Sequence, residues 1–125
     1  MAKKVLVVDD SETIRQQVRL TLTDSGYAVV EAVDGMDGLE KIRQNTDLSL
    51  VISDVNMPRM SGLEMVTELQ RTGYQVPILM LTTEGQVTMI QQARAAGAKG
   101  WIVKPFKPEI LGTAVGKLVR LPEGR

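Results

Sequence analysis

With no cysteine and no histidine among its 125 residues, this chain can do chemistry only through acids, amines and hydroxyls. Disulfides, thiolate nucleophiles, cysteine-rich zinc sites and every triad or metal cage that needs imidazole are excluded. A few polar residues draw attention because they directly follow apolar runs: Asp9 and Asp10 after VLVV, Asp54 after LSLVIS, Thr82 after ILML and Lys104 after GWIV. Carboxylates gathered in one cleft repel each other, and a hard divalent cation relieves that repulsion. Mg²⁺ suits such a place, because it takes a few carboxylates together with water and phosphate oxygens. Beside it an aspartate such as Asp54 can attack a phosphoryl group, while Lys104 offers a point charge to the phosphoryl oxygens and Thr82 donates a hydrogen bond.

Each residue also has a plainer role when taken singly. Asp9 and Asp10 could simply cap a following helix, Asp54 could end a strand before the Met57-Pro58 turn, and Lys104 could be a solvated surface lysine. Thr82 stands beside Thr83 at a strand end, where threonines are common. Met57, Met60 and Met65 suit gap-filling around a loop and a helix. The chemical reading therefore depends on whether the chain brings the residues together.

The elements that would do so are legible as short β-branched runs alternating with stretches of helical period, punctuated by Gly, Pro, Asp and Asn. Strands are expected over residues 5–8, 27–32, 48–53, 78–81 and 100–103. Ile14, Val18 and Leu22 give the inward face of a first helix that Gly26 ends. A short second helix starts near Asp34 and Gly35 and faces inward through Leu39 and Ile42. Leu63, Val66 and Leu69 mark a third, and Pro77 introduces the fourth strand. A fourth helix over residues 86–96 has only the thin apolar face of Val87, Ile90 and Ala93, which predicts weak docking and mobility. Lys104-Pro105 breaks the last strand, Pro108 suits the first turn of a final helix packed through Leu111, Val115 and Leu118, and Pro122 and Gly124 end the order.

Alternating βα units with right-handed crossovers predict an α/β, doubly wound (βα)5 architecture. Ligands of such open sheets bind beyond the carboxyl ends of the strands, the rim on which all the residues above fall. If the strand order is 2-1-3-4-5, strands one and three are neighbours and the carboxylates of Asp9, Asp10 and Asp54 converge. The length fits a single domain over residues 1–125 with no separate output domain. Fifteen basic residues balance fifteen acidic ones, which predicts no affinity for nucleic acid or membrane. An N-terminal apolar run of four residues is too short for a signal peptide or a span, so a cytoplasmic location is expected.

Four segments in order, VLVVDD, ISDVNMPRMSGLE, PILMLTTEG and GWIVKPF, resemble the receiver domains of bacterial two-component response regulators over essentially the whole chain. LTTEG with GWIVKPF further resembles the single-domain chemotaxis receivers of the CheY type. The resemblance implies the flavodoxin-like/CheY-like fold with its five-stranded parallel sheet in the order 2-1-3-4-5. It implies that Asp54 is the phosphoacceptor, that Asp10 and Asp54 bind Mg²⁺ directly with the backbone carbonyl of Asn56, and that Asp9 acts through water. It singles out Thr82 rather than Thr83, makes Lys104-Pro105 a cis bond, and has Asn56 and Glu84 tune the phosphoryl lifetime. Trp101 takes the place of a switch aromatic that moves inward as Thr82 swings toward the phosphoryl group. The other reading of Trp101 is a static, partly buried core tryptophan.

By the same resemblance the partners are a sensor histidine kinase of the chemotaxis type and a flagellar motor switch protein or other effector. The effector would dock on the face of the fourth helix, fifth strand and fifth helix, where Gln91, Gln92, Arg94, Lys99 and Lys107 would lie beside Trp101. The chain would act as a monomeric switch, not as an enzyme beyond its own phosphorylation and dephosphorylation. The alternative is a relay receiver that passes its phosphoryl group to a histidine phosphotransfer domain. A flavodoxin-like cofactor carrier would want a Gly, Ser and Thr nest after the first strand, where this chain has Asp9, Asp10 and Glu12. A dehalogenase-like phosphatase would want a second aspartate where Asn56 stands.

Overall fold

The computed structural model describes residues 2–83 and 89–119. Strands β1 (Lys4–Val8), β2 (Ala28–Ala32), β3 (Leu48–Asp54), β4 (Ile78–Thr82) and β5 (Gly100–Val103) alternate with helices α1 (Glu12–Asp24), α2 (Gly35–Gln44), α3 (Gly62–Thr72), α4 (Ile90–Ala95) and α5 (Pro108–Val119). The strands form one parallel sheet in the order β2-β1-β3-β4-β5, so β1 and β3 are neighbours as the site requires.

Alternation along each strand sends side chains to opposite faces of the sheet. Val5 and Val7, Leu50 and Ile52, and Leu79 and Leu81 pack with Val18 and Leu22 of α1 and Leu111 and Val115 of α5. Leu6 and Val8, Val51, and Ile78 and Met80 pack on the other face with Ile42, Met65, Val66, Leu69 and Ala93. Near-continuous apolar strands are what a sheet covered on both faces needs. At the start of β3 the register passes from Lys4↔Leu48 to Val5↔Leu50 and skips Ser49. This irregularity puts Leu48 and Leu50 in opposite clusters.

Local chemistry sets the helix ends. Ser11 caps α1, its hydroxyl accepting the Ile14 N–H, so the capping role open to Asp9 and Asp10 falls to the next residue. Asp34 caps α2 and Ser61 caps α3 in a capping box with Glu64. Gly73 ends α3 in the left-handed region that glycine tolerates.

Several boundaries move by one residue for identifiable reasons. β1 takes in Lys4, which pairs with Ala28. β2 starts at Ala28 rather than Tyr27, because the Tyr27 N–H is spent on the Leu22 carbonyl at the end of α1. β3 and β4 extend through Asp54 and Thr82, whose ladder partners are Leu81 and Val103. The described part of α4 buries Ile90 and Ala93. Its expected beginning at Gln86 and Val87, and the expected ends at Pro122 and Gly124, lie outside the described residues.

One contact locks α3 to the acceptor strand. Gly62 N–H donates to the Val55 carbonyl at 2.8 Å, and a Cβ on Gly62 would stand 2.0 Å from the Asp54 carbonyl oxygen. That neighbour is backbone and cannot rotate away. Gly62→Ala is therefore expected to destabilise the fold by about 3 kcal/mol or more, measured by denaturant unfolding. A loss below about 1 kcal/mol, the ordinary mutational effect, would show that β3 and α3 can part without penalty.

Candidate functional site

The rim beyond β1, β3, β4 and β5 carries the polar residues singled out by the sequence. Asp9 follows β1 and is wholly buried. Its N–H donates to the Ala32 carbonyl at 3.1 Å, and its Oδ1 accepts the Ser11 N–H at 2.9 Å. The Arg15 guanidinium reaches back from α1 to the Asp9 carbonyl at 2.7 Å. Asp10, the next residue, is exposed. Asp54 closes β3 with 7% of its surface exposed, and its Oδ1 accepts the Val55 N–H at 2.8 Å. Asp9, Asp10 and Asp54 each offer a carboxylate oxygen, and these oxygens lie within 4.8 Å of one another.

Lys104 completes the cluster. Its Nζ stands 2.9 Å from Asp9 Oδ2 and 3.2 Å from Asp54 Oδ1, which sets aside the reading of a solvated surface lysine. The Lys104–Pro105 bond is cis, and the Lys104 N–H donates to the Thr82 carbonyl at 2.6 Å. One ammonium against three carboxylates leaves the cleft net negative. Burial pushes the Asp54 carboxyl above its ordinary value, the Asp9 charge adds to the effect, and Lys104 and the Val55 N–H oppose it without cancelling it. Hard oxygen donors around an excess of negative charge fit Mg²⁺. Thr82 supplies a second sign of an awaited group: its Oγ1 is buried and has no hydrogen-bond partner among the described residues. A buried hydroxyl without a partner costs free energy unless something else fills the role.

Asn56 is exposed at the start of the β3–α3 loop, and Glu84 lies outside the described residues. For Trp101 the sequence left two readings open. The residue is 41% exposed and is not a core tryptophan. In the ladder it pairs with Met80 on the α4 side of β5, an edge strand, and the Arg94 guanidinium lies over its ring at 4.6 Å. A recess between α4 and the sheet, lined by Thr82, Met80, Ile90, Ala93 and Trp101 among others, joins the indole to the threonine. Gln91, Gln92, Arg94, Lys99 and Lys107 are all exposed.

Reasoning from sequence missed an ion pair that braces the site's loop. Arg59 has a left-handed backbone, φ 64°, unusual for a residue with a Cβ. Its guanidinium grips the buried Asp34 carboxylate at 2.7 and 3.0 Å, while the Met60 carbonyl accepts the Gly35 N–H at 3.0 Å. The β2–α2 turn is thereby tied to the loop that leaves Asp54. The Arg59 hydrogen bonds hold the Asp34 carboxyl below its usual value against the opposing effect of burial, with help from the Asp37 N–H. Nothing in the spacing of Asp34 and Arg59 announces the pair.

Residues 5–116 match the family model described as the response regulator receiver domain. The chain belongs to that family. This receiver is 42% identical over 111 residues to chemotaxis protein CheY1 of Helicobacter pylori, covering 86% of this chain and 90% of that one. It is 41% identical to the chemotaxis protein CheY homolog of Campylobacter jejuni, over 86% and 85% of the two chains. Among solved structures, chemotaxis protein CheY4 of Vibrio cholerae superposes with a TM-score of 0.86 at 47% identity, over 94% of this chain and 99% of that one. The receiver is thus of the CheY-like kind, a signal-transduction module of two-component systems.

Two pH-linked outcomes follow from the charges. Asp54 has a raised folded pKa, so its ionisation subtracts stability at neutral pH and the penalty fades as the pH falls. Without metal, Asp54→Asn should raise Tm at pH 7 by about 4 °C, the shift that about 1 kcal/mol produces in a domain of this size, with less gain in acid. An unchanged Tm would mean that Lys104 already neutralises the site. Asp34 has a depressed folded pKa, so its stabilisation is full above the unfolded carboxylate value and is lost as the pH falls through the folded one. Arg59→Ala should lower Tm at neutral pH, and its deficit should close in that acid window. A deficit independent of pH would remove the ion pair as its cause.

Proposed function

We propose that this receiver is a phosphorylation-activated switch of a chemotaxis pathway, taking a phosphoryl group from a histidine kinase onto Asp54 and then binding a target protein. The observation that carries the reading is the buried Asp54 carboxylate set among Asp9, Asp10 and the Lys104 ammonium. The orphaned Thr82 hydroxyl on the same rim supports it.

In the transfer, an Asp54 carboxylate oxygen forms the new P–O bond as the P–N bond of the kinase phosphohistidine breaks. The bonding pair leaves with the imidazole, which departs neutral when its other nitrogen carries a proton. Asp10, Asp54 and the Asn56 carbonyl would hold Mg²⁺ directly and Asp9 through water, and the ion supplies charge neutralisation on the phosphoryl oxygens. Lys104, released from Asp54 once that oxygen is esterified, turns its charge to the phosphoryl oxygens. The Thr82 hydroxyl gains in them the acceptor it lacks. The arrival of Thr82 opens space in the recess behind it, and Trp101 follows inward, changing the exposed face of α4, β5 and α5.

That face, with Arg94 over the indole and Lys99 and Lys107 also exposed, would be the docking surface for a flagellar motor switch protein. A partner shifts the equilibrium only by its differential affinity for the two forms. The site acts on its own acyl phosphate and turns over no external substrate. Names carrying chemotaxis among the similar proteins support this assignment, and among the described residues no helix is long and apolar enough to cross a membrane. The setting proposed is cytoplasmic, and the active unit a monomer.

The test has two stages. Acetyl phosphate with Mg²⁺ should add one phosphoryl group to the wild type, seen by intact mass, and none to Asp54→Asn; modification of the variant at the wild-type rate would place the acceptor elsewhere. Capture from native extract with beryllium fluoride and Mg²⁺ should then retain a flagellar switch component only in the activated state. Retention of a histidine phosphotransfer protein instead would make this a relay receiver.

A further inference from the structure

Beneath the acidic cluster a closed ring of hydrogen bonds holds the backbone from which Asp10 departs. Arg15 Nη1 donates to the Asp9 carbonyl at 2.7 Å, and its Nε donates to Glu31 Oε1 at 3.2 Å. Glu31 lies on β2, immediately before Ala32, whose carbonyl accepts the Asp9 N–H at 3.1 Å. Both polar groups of the Asp9 backbone are thus referred to the same short stretch of β2. The Arg15 side chain is only 14% exposed, far less than a surface arginine. Arg19 Nη1 also binds Glu31, at 2.7 Å, but its side chain is 41% exposed and bonds Glu31 rather than Asp9.

We propose that Arg15 is a positioning residue for Mg²⁺: by fixing the Asp9–Asp10 peptide plane it aims the exposed Asp10 carboxylate at the cation. This rests on the reading of the aspartate cluster as a Mg²⁺ site. The peptide unit is planar, so the direction of the Asp9 carbonyl dictates how the chain enters Asp10. Asp9 and Asp54 are held by burial, whereas Asp10 is exposed and must take its direction from the backbone. A guanidinium bond to a carbonyl is charge-assisted and stronger than a neutral one, and the ion pair to Glu31 keeps the guanidinium from swinging away.

The sign of the effect separates this role from a merely electrostatic one. A cationic side chain close to a divalent ion repels it, so removing its charge would tighten Mg²⁺ binding. Removing a positioning contact weakens it. Mg²⁺ demands near-ideal octahedral geometry while Ca²⁺ tolerates irregular ligation, so a positioning loss falls more heavily on Mg²⁺ than on Ca²⁺.

The experiment is calorimetric titration of the full chain with Mg²⁺ and with Ca²⁺, for wild type, Arg15→Gln, Arg15→Lys, Arg19→Gln and Asp10→Asn. Native circular dichroism is checked for each protein at the titration temperature. Arg15→Gln is expected to weaken Mg²⁺ binding about tenfold, the lower end of what outer contacts to metal ligands contribute, with a smaller loss for Ca²⁺. Arg15→Lys keeps the charge but cannot span both acceptors, and should show the same preference of loss even if the glutamine variant folds poorly. Arg19→Gln should bind Mg²⁺ like the wild type. Wild-type affinity or tighter binding in both Arg15 variants, with Asp10→Asn impaired, would overturn the positioning role while leaving the metal site in place. No Mg²⁺ binding by the wild type would instead overturn the metal-site reading itself.

Discussion

Repulsion among carboxylates that share one cleft is the constraint on which the rest of the molecule turns. Asp9 and Asp54 are buried side by side with Asp10 at the mouth, and a chain left to itself would separate them or protonate them. Here Lys104 bridges the two buried acids from the far end of β5. The pair of contacts spans β1, β3 and β5 across the carboxyl edge of the sheet. It leaves a residual negative charge, and that residue of unfavourable energy is what a bound cation would relieve. Sites of this kind are kept ready by incomplete neutralisation, because a cluster fully satisfied by protein groups would gain nothing from a ligand.

The backbone around the cleft is correspondingly over-determined. Asp9 is tied to β2 through both its N–H and its carbonyl, and Gly62 lets α3 close directly on the Asp54 carbonyl. The Asp34–Arg59 pair anchors the loop that follows. These ties come from different faces and different elements, so the position of each acid is set by more than one constraint. A rim assembled from strand ends could otherwise splay under its own charge.

The five-unit alternation and the rim residues were readable from sequence because both depend on local pattern: β-branched runs for buried strands, helical spacing for their covers, and a polar residue at the end of β1, β3, β4 and β5. Boundaries missed by one residue, as at Tyr27 and Asp54, because hydrogen bonds to Leu22 and across the ladder to Leu81 decide them, and those are not local. The same reason hides Arg15 with Asp9 and Glu31, and Arg59 with Asp34. Such pairs join residues distant in sequence whose types are ordinary for solvent-facing positions. The orientation of Trp101 was equally out of reach, since an indole three residues before Lys104 suits a core or a surface position and its place on an edge strand under Arg94 decides between them.

The described part of α4 meets the core through Ile90 and Ala93 alone, while the acids and their lysine are supported by β1, β3, β5 and the helices behind them. Most residues of α4 can therefore be exchanged without disturbing the cleft. In evolutionary terms the molecule separates its cleft from its outer helix: drift can rewrite Gln91, Gln92 or Arg94 while the acids and their lysine keep their places. A gene duplication would need only a few substitutions on that helix to give two copies with one cleft and two different outer surfaces.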